Sequence, residues 1–450
     1  MPMKRFAMLL ACLCLVGLAI RPAAAQTVLR DAETEALLAD ISRPIIEAAG
    51  LSPENVHVVL LQDGSINAFV AGGQTVYIHS GLIDAADNLN EVQGVIAHEL
   101  GHVVGGHVPL ANSGGAGTIS ILSLVLGAAA VAAGSPEAGT GILMAGQRAA
   151  LGKYLAFSRT QESQADAAGA RFLNTAGING AGMIDFFKKL QNMEYRLAIP
   201  QDNSFNRTHP LSGERIAHLE DTLHNGPGWQ KPTDPALEER FRRVQAKLRG
   251  YVDDPQQTLR QYPLSDQSVE AHYARAYAYH LSGYPQQAAS ETAALVAADP
   301  DDPYFLELQG QIMLEGGDPL GAIEPLRRAT ELSNNHPLIA TTYGHALIAT
   351  DDPKYLPEAE QVLRLAVARD KENPFAWYQL GMVYERTGDQ ARAALATAER
   401  ASMTGDPGLA AISARAAVAG LEENTPEWLR AQDILLISQN ALEDRERRRN

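Results

Sequence analysis

Three residues near position 100 have the types and spacing for hydrolytic chemistry. His98 and His102 are four apart and Glu99 follows the first, so the chain spells His-Glu-x-x-His. On a helix, two imidazoles one turn apart point the same way, with Cβ atoms about 6 Å apart. Two neutral imidazoles so placed can grip one zinc ion. Glu99 would lie about 100° round from His98. There it can reach water in the metal's open position without ligating, which is the general-base arrangement of zinc peptidases. The competing reading is a buried helix that merely carries two histidines.

The flanking residues predict the helix. Val92, Val95, Ile96, Leu100 and Val103 recur at helical spacing through 90–107. Asn90 is the expected N-cap, and Gln93 three residues on gives a capping box. His107 stands five residues past His102, whereas a metzincin's third histidine stands six past, at a position occupied here by Val108. His107 therefore reads as a helix-end residue, and a third ligand must come from elsewhere.

A second segment offers one. Ser158 with Gln161 marks a helix start, and Gly177 marks its end. Inside it, Glu162 and Asp166 are one turn apart on one face. Glutamate on a second helix is a known third ligand for a two-histidine zinc helix, so Glu162 is the candidate. Asp166 is placed to accept the far N–H of a ligating histidine and hold its tautomer. An ordinary solvated acidic pair is the competing reading.

Together these segments resemble the HtpX/CAAX-protease family of zinc peptidases. The resemblance rests on His98-Glu99-x-x-His102, then Glu162-x-x-Ala165-Asp166 with Ser158-Arg159 just upstream, then Thr208-His209-Pro210-Leu211 with Arg215-Ile216. It covers residues 30–225. It implies an α+β zincin-like domain, mostly helical with a small sheet. It also implies one zinc on His98, His102 and Glu162, with Glu99 as base. It places His209 near the site, either as an oxyanion donor or as a resting occupant of the metal's fourth position. Long members of the family carry transmembrane helices where this chain has only a short apolar segment.

Lys4, Arg5, the apolar run Phe6 to Ile20 and Ala23-Ala24-Ala25 read as a secretory signal over 1–25. Leu9 to Cys12 offers a lipoprotein signal as the lesser alternative, because its apolar stretch is very short. Both cysteines, Cys12 and Cys14, lie in the signal, so the mature chain excludes disulfides and cysteine catalysis. Net charge is −16, and removing Lys4, Arg5 and Arg21 takes it to −19. Such acidity argues against nucleic acid and against docking on anionic lipid.

Residues 27–49 read as a helix closed by Gly50. Strands are expected over 56–61, 67–71 and 74–79, the last two joined by Gly72-Gly73. A free strand edge beside the site would hold an extended substrate through backbone bonds. Residues 118–133 and 139–155 are apolar and rich in Gly and Ala. The first has sixteen residues, short of the roughly 20 that span a bilayer. The pair reads as a hydrophobic hairpin or lid, with peripheral membrane contact as one role.

Composition changes after Pro227 and Pro232. From 269 the chain repeats, with starts at 269, 303, 337 and 374. The eighth position reads Ala276, Gly310, Gly344, Gly381. The twentieth reads Ala288, Ala322, Ala359, Ala393, once an insertion around Asp351–Tyr355 is allowed for. Trp377, Leu380, Gly381 and Tyr384 fit the tetratricopeptide pattern. The expected organisation is a signal over 1–25, a peptidase domain over 26–228, and an all-α tetratricopeptide superhelix over 229–450. Its repeats are 269–302, 303–336, 337–373 and 374–407, flanked by helical segments 233–262 and 409–445. A peptidase of this family joined to such repeats behind a signal resembles the BepA-like periplasmic proteases. That implies quality control of outer-membrane proteins in the periplasm, with misassembled β-barrel precursors as clients and their assembly machinery as a partner of the repeats. The rivals are a repeat scaffold with an inert peptidase domain, and a membrane-embedded prenyl-type endopeptidase.

Overall fold

The computed structural model describes residues 27–71, 73–107, 159–196, 209 and 213–449. The expected signal, the apolar segments of 118–155, and Gly72, Ser158, Thr208, Pro210 and Leu211 lie outside these residues. The chain forms two units, Met1–Leu29 with Ala39–Thr233, and Arg30–Leu38 with Asp234–Asn450.

The first unit contains a four-stranded sheet in the order β1-β2-β4-β3, with β1 Thr27–Leu29, β2 His57–Gln62, β3 Ala68–Ala71 and β4 Thr75–His79. The helix expected over 27–49 divides in two. Thr27–Leu29 pairs antiparallel with β2, Val28 opposite Leu61. Helix α1 runs Ala32–Ala48, started by Asp31, whose carboxylate accepts the Thr34 N–H at 2.8 Å. β3 and β4 pair antiparallel as the Gly72-Gly73 signal predicts, with Phe69 opposite Tyr77. β2 and β4 run parallel, Val59 beside Tyr77. β1 and β3 are the edges.

A short helix, α2 (Ser80–Ala85), leads to α3, Leu89–Gly105, which carries the His-Glu-x-x-His residues. Every residue of α3 from Leu89 to His102 is buried, so the helix is enclosed on all sides. Its cap differs from expectation. Asn88, not Asn90, is the N-cap, and its side chain accepts the Glu91 N–H. Glu91 reaches back to the Asp87 N–H at 3.0 Å, one residue before the cap, so the helix start is bonded from both sides two residues earlier than expected. Asn90 is committed elsewhere, with its Nδ2 donating to Asn179 O at 2.7 Å and its Oδ1 accepting from Gly182 N–H at 2.8 Å.

Helix α4 covers residues 159–176, and Gly177 closes it with φ 65°. Helices α5 (Ala181–Arg196) and α6 (Gly213–His224) follow. Glycine sets how closely these helices meet α3. A Cβ on Gly101 would lie 2.5 Å from the Ala165 carbonyl oxygen of α4. A Cβ on Gly94 would lie 2.5 Å from the Met183 backbone of α5.

The second unit is the repeat array. Its helix pairs are Val269–Leu281 with Pro285–Ala298, Pro303–Glu315 with Pro319–Leu332, Pro337–Ala349 with Leu356–Arg369, and Pro374–Thr387 with Gln390–Met403. The small residues at the eighth and twentieth positions are packing sites. Ala276, Ala288, Ala322 and Ala359 are fully buried, and a Cβ on Gly344 would lie 2.5 Å from Leu363. The insertion becomes a 3-10 turn, Pro353–Tyr355. Helices Pro235–Val252 and Pro255–Gln261 precede the pairs, and Pro407–Gly420 and Pro426–Arg449 follow them. These are tetratricopeptide repeats.

Arg30–Leu38 belongs to this second unit. Ala32 packs with Leu306, Ala329 and Ile339. Glu33, 1% exposed, pairs with Arg243 at 2.7 Å and accepts the Tyr273 hydroxyl at 2.8 Å. Asp31 pairs with Lys247 at 2.5 Å. Arg30 reaches Asp370 at 2.9 Å. No helix among the described residues is long and apolar enough to cross a membrane.

Candidate active site

The helical register of α3 brings His98 and His102 side by side, their Nε2 atoms 3.2 Å apart. Close packing of α4 on Gly101 delivers Glu162 to the same point. Its Oε2 lies 3.3 Å from His98 Nε2 and its Oε1 lies 3.3 Å from His102 Nε2. His209 completes the group, with Nδ1 3.2 Å from His98 Nε2 and 3.0 Å from Glu162 Oε1. All four side chains are buried.

These spacings suit zinc. Two ligands on a tetrahedral zinc with bonds of 2.0–2.1 Å stand about 3.3–3.4 Å apart. The charges agree. Glu99, Glu162 and Asp166 are buried acids, and among the described residues at the site Arg215 is the buried cation that faces them. Three negative charges against one positive leave two to be balanced, the charge of one divalent ion. The local field reports the same need. Burial works against a charge on His98, yet hydrogen bonds and charge from Asp166 and Glu162 push it up to about 10. Burial raises the Glu162 carboxyl, but His209, His102 and His98 hold it well below the usual range.

The surrounding groups orient this set. His98 Nδ1 lies 3.0 Å from Asp166 Oδ1, so the carboxylate accepts the far N–H. Arg215 from α6 donates to Asp166 through Nε at 2.6 Å and through its terminal nitrogen at 2.9 Å. It also reaches Glu162 at 3.1 Å. Burial raises the Asp166 carboxyl, but His98 and Arg215 outweigh it and hold it below its ordinary value. Phe187 from α5 sets its ring edge-on to His98 at 5.6 Å.

Glu99 is fully buried, and among the described residues neither of its oxygens has a hydrogen-bond partner. Its Oε1 lies 3.5 Å from His209 Nε2. A buried carboxylate with no hydrogen bond is costly, and here it is held beside the cluster of His98, His102, Glu162 and His209.

Each residue singled out in the sequence is thus in one cluster: His98, His102, Glu162 and His209 around one point, Glu99 beside it, and Asp166 behind His98. Sequence reasoning missed the contacts of Arg215 and Phe187 at the site. Arg215 carried a signal, a charged residue adjoining Ile216 on the buried face of an amphipathic helix. Phe187 carried none.

Two histidines and a glutamate around one point, with a second glutamate on the histidines' own helix, are the residue set of a gluzincin-type metallopeptidase. Comparison with known proteins agrees. Residues 32–223 match the description of Peptidase family M48, and the chain belongs to that family. It is 31% identical over 236 residues to the "Protease HtpX homolog" of Desulfatibacillum aliphaticivorans, covering 47% of this chain and 70% of that one. It is 25% identical over 360 residues to the "Beta-barrel assembly-enhancing protease" of Escherichia coli (strain K12), covering 78% of this chain and 71% of that one. Against the "Metalloprotease LoiP" of the same organism it is 34% identical over 176 residues, 38% of this chain and 63% of that one. The chain is a zinc metalloprotease with tetratricopeptide repeats.

Proposed function

We propose that the chain is an exported endopeptidase of the cell envelope that cleaves misassembled outer-membrane proteins, with its repeats holding clients or the assembly machinery. His98, His102 and Glu162 hold the zinc. The observation that carries this site reading is the matched spacing of His98 Nε2, His102 Nε2 and the Glu162 carboxylate at 3.2–3.3 Å. Zinc there supplies Lewis acidity toward water and the scissile carbonyl. Glu99 takes the proton of the attacking water and passes it to the leaving amide nitrogen. Its lack of hydrogen bonds leaves its lone pairs available for that proton. Asp166, braced by Arg215, keeps His98 in the tautomer whose Nε2 lone pair faces the metal.

His209 Nδ1 lies as close to His98 and Glu162 as a fourth ligand would. With zinc held by His98, His102 and Glu162, His209 Nδ1 would be the group that meets it at rest in place of water. Displaced by substrate, its ring becomes a donor for the tetrahedral oxyanion.

The envelope role is supported by the similarity to a protein named for enhancing β-barrel assembly and by the signal-like segment over 1–25. The test uses mature protein recovered from the periplasm, sequenced at its N-terminus, and incubated with an unfolded outer-membrane protein. Cleavage that stops with chelator and returns with zinc is expected. A chain recovered only from the cytoplasm, or intact client under all conditions, would overturn the proposal.

A further inference from the structure

Each histidine of α3 has one nitrogen at the metal position and one facing away. The outer nitrogen of His98 meets a carboxylate. That of His102 meets another imidazole, His102 Nδ1 lying 2.9 Å from His107 Nδ1. The far side of His107 is closed by α4, where His107 Nε2 lies 3.1 Å from Gln164 Oε1. We propose that His107, held by Gln164, is a positioning residue that fixes the tautomer and orientation of His102 for the metal. The inference rests on the reading of His102 as a ligand.

The protons run in one direction only. An amide oxygen accepts, so His107 Nε2 carries its hydrogen and donates to Gln164. A neutral His107 then has its lone pair on Nδ1 and accepts the His102 Nδ1–H. That leaves the His102 lone pair on Nε2, the atom 3.2 Å from His98 Nε2. The reverse direction would put a proton on His102 Nε2 and block ligation. Gln164 at one end and the metal position at the other therefore require the same order.

The backbone is shaped for this contact. Helix α3 stops at Gly105, and Gly106 turns the chain left-handed at φ 61°, its N–H bonding to His102 O and Val103 O. His107 is thereby folded back over the last turn, 6% exposed. A Cβ on Gly105 would meet its ring, 2.6 Å from Cε1 and 2.9 Å from Cδ2. Two glycines admit the ring, one by conformation and one by volume.

Charge explains an imidazole rather than a second carboxylate. Glu99, Glu162 and Asp166 already balance Arg215 and a divalent ion. A fourth buried acid would leave an uncompensated charge, while a neutral acceptor orients His102 without one.

The test compares zinc retention in the full chain by chelator competition, together with ¹⁵N-histidine spectra of the zinc-loaded protein. His107→Leu should lower zinc affinity by about 10–100-fold. His107→Asn, whose amide oxygen can stand near the lost Nδ1, should recover most of it. Gln164→Leu on the protein surface should fall in between and keeps the inference testable if His107→Leu does not fold. Spectra should show His107 protonated on Nε2 and His102 on Nδ1. Equal loss with Leu and Asn, wild-type affinity in His107→Leu or Gln164→Leu, or His107 protonated on Nδ1 would overturn the inference. His102→Ala separates it from the reading beneath: if that variant holds zinc as the wild type does, the ligand assignment itself has failed.

Discussion

Glu99 and His209 face each other across 3.5 Å, and each can be tested alone. Glu99→Gln keeps shape and removes basicity. Zinc measured by atomic emission should stay at one per chain while hydrolysis of a fluorogenic peptide falls by about 10²–10⁴-fold. A variant with undiminished turnover would remove Glu99 from its role. His209→Ala should leave zinc content unchanged and speed cleavage of unfolded protein, because the fourth position no longer has a resting occupant. A slower variant with normal zinc would instead make the oxyanion role dominant. His98, Glu99 and His102 were legible in the sequence because their relation is local to one helix. Glu162 and Asp166 were legible as a face, and their pairing with the histidines because a two-histidine zinc helix needs a third ligand and an acceptor for a histidine's far N–H. The bonds of Arg215 to Asp166 and of Gln164 to His107 were not legible, because neither spacing nor composition says which helix faces which.

At the scale of elements, α3 is held by glycines on two faces, and the faces differ in what they carry. Gly101 meets α4, which bears Glu162, while Gly94 meets α5, which bears no ligand. Both Gly101→Ala and Gly94→Ala should destabilise by about 1–3 kcal/mol in denaturant titrations, since the added methyl has nowhere to go. Only Gly101→Ala should also accelerate zinc loss to chelator. Equal effects of the two on zinc would mean that α4 and α5 position the site alike. Element types were well marked in the sequence, and their ends less so. Asn90 looked like a cap because its type is right, but two bonds across to residues 179 and 182 claim it. The start of the first predicted helix became β1 because β2 offered a partner at 61, and such pairing is invisible to a window of neighbours.

For the whole molecule, the second unit contains an acid in an unusual state. Burial raises the Glu307 carboxyl to about 8 from an ordinary 4.5, Lys247 only partly opposing it and Asp31 adding to it. Its Oε2 is sealed from solvent without a hydrogen-bond partner. The folded chain therefore keeps a proton that the unfolded chain loses above 4.5. Stability from this group is whole below that pH and declines as pH rises toward 8, by at most about 1.4 kcal/mol per pH unit. Glu307→Gln should flatten the fall in melting temperature between pH 5 and 8, and an unchanged fall would refute it. The repeats can also be removed. A chain ending at residue 233 should bind zinc through its intact cluster but process natural clients poorly. Trypsin should cut it after Arg30 faster than it cuts the full chain, because the truncation removes Asp370, an ion-pair partner of Arg30. Undiminished client processing would make the repeats structural only.

The membership of Arg30–Leu38 in the repeat unit has a consequence for the order of synthesis. Glu33 is bonded to a tyrosine 240 positions later, and Arg30 to an aspartate 340 positions later. When this turn leaves the ribosome, its partners Arg243, Lys247 and Asp370 are still unmade. Closing so long a loop costs little more than closing a shorter one, but it must wait for translation to reach the array. The start of α1 is accordingly finished only after residue 370 is present. A protease whose first helical turn waits for partners in its repeat array carries a check that the array was made.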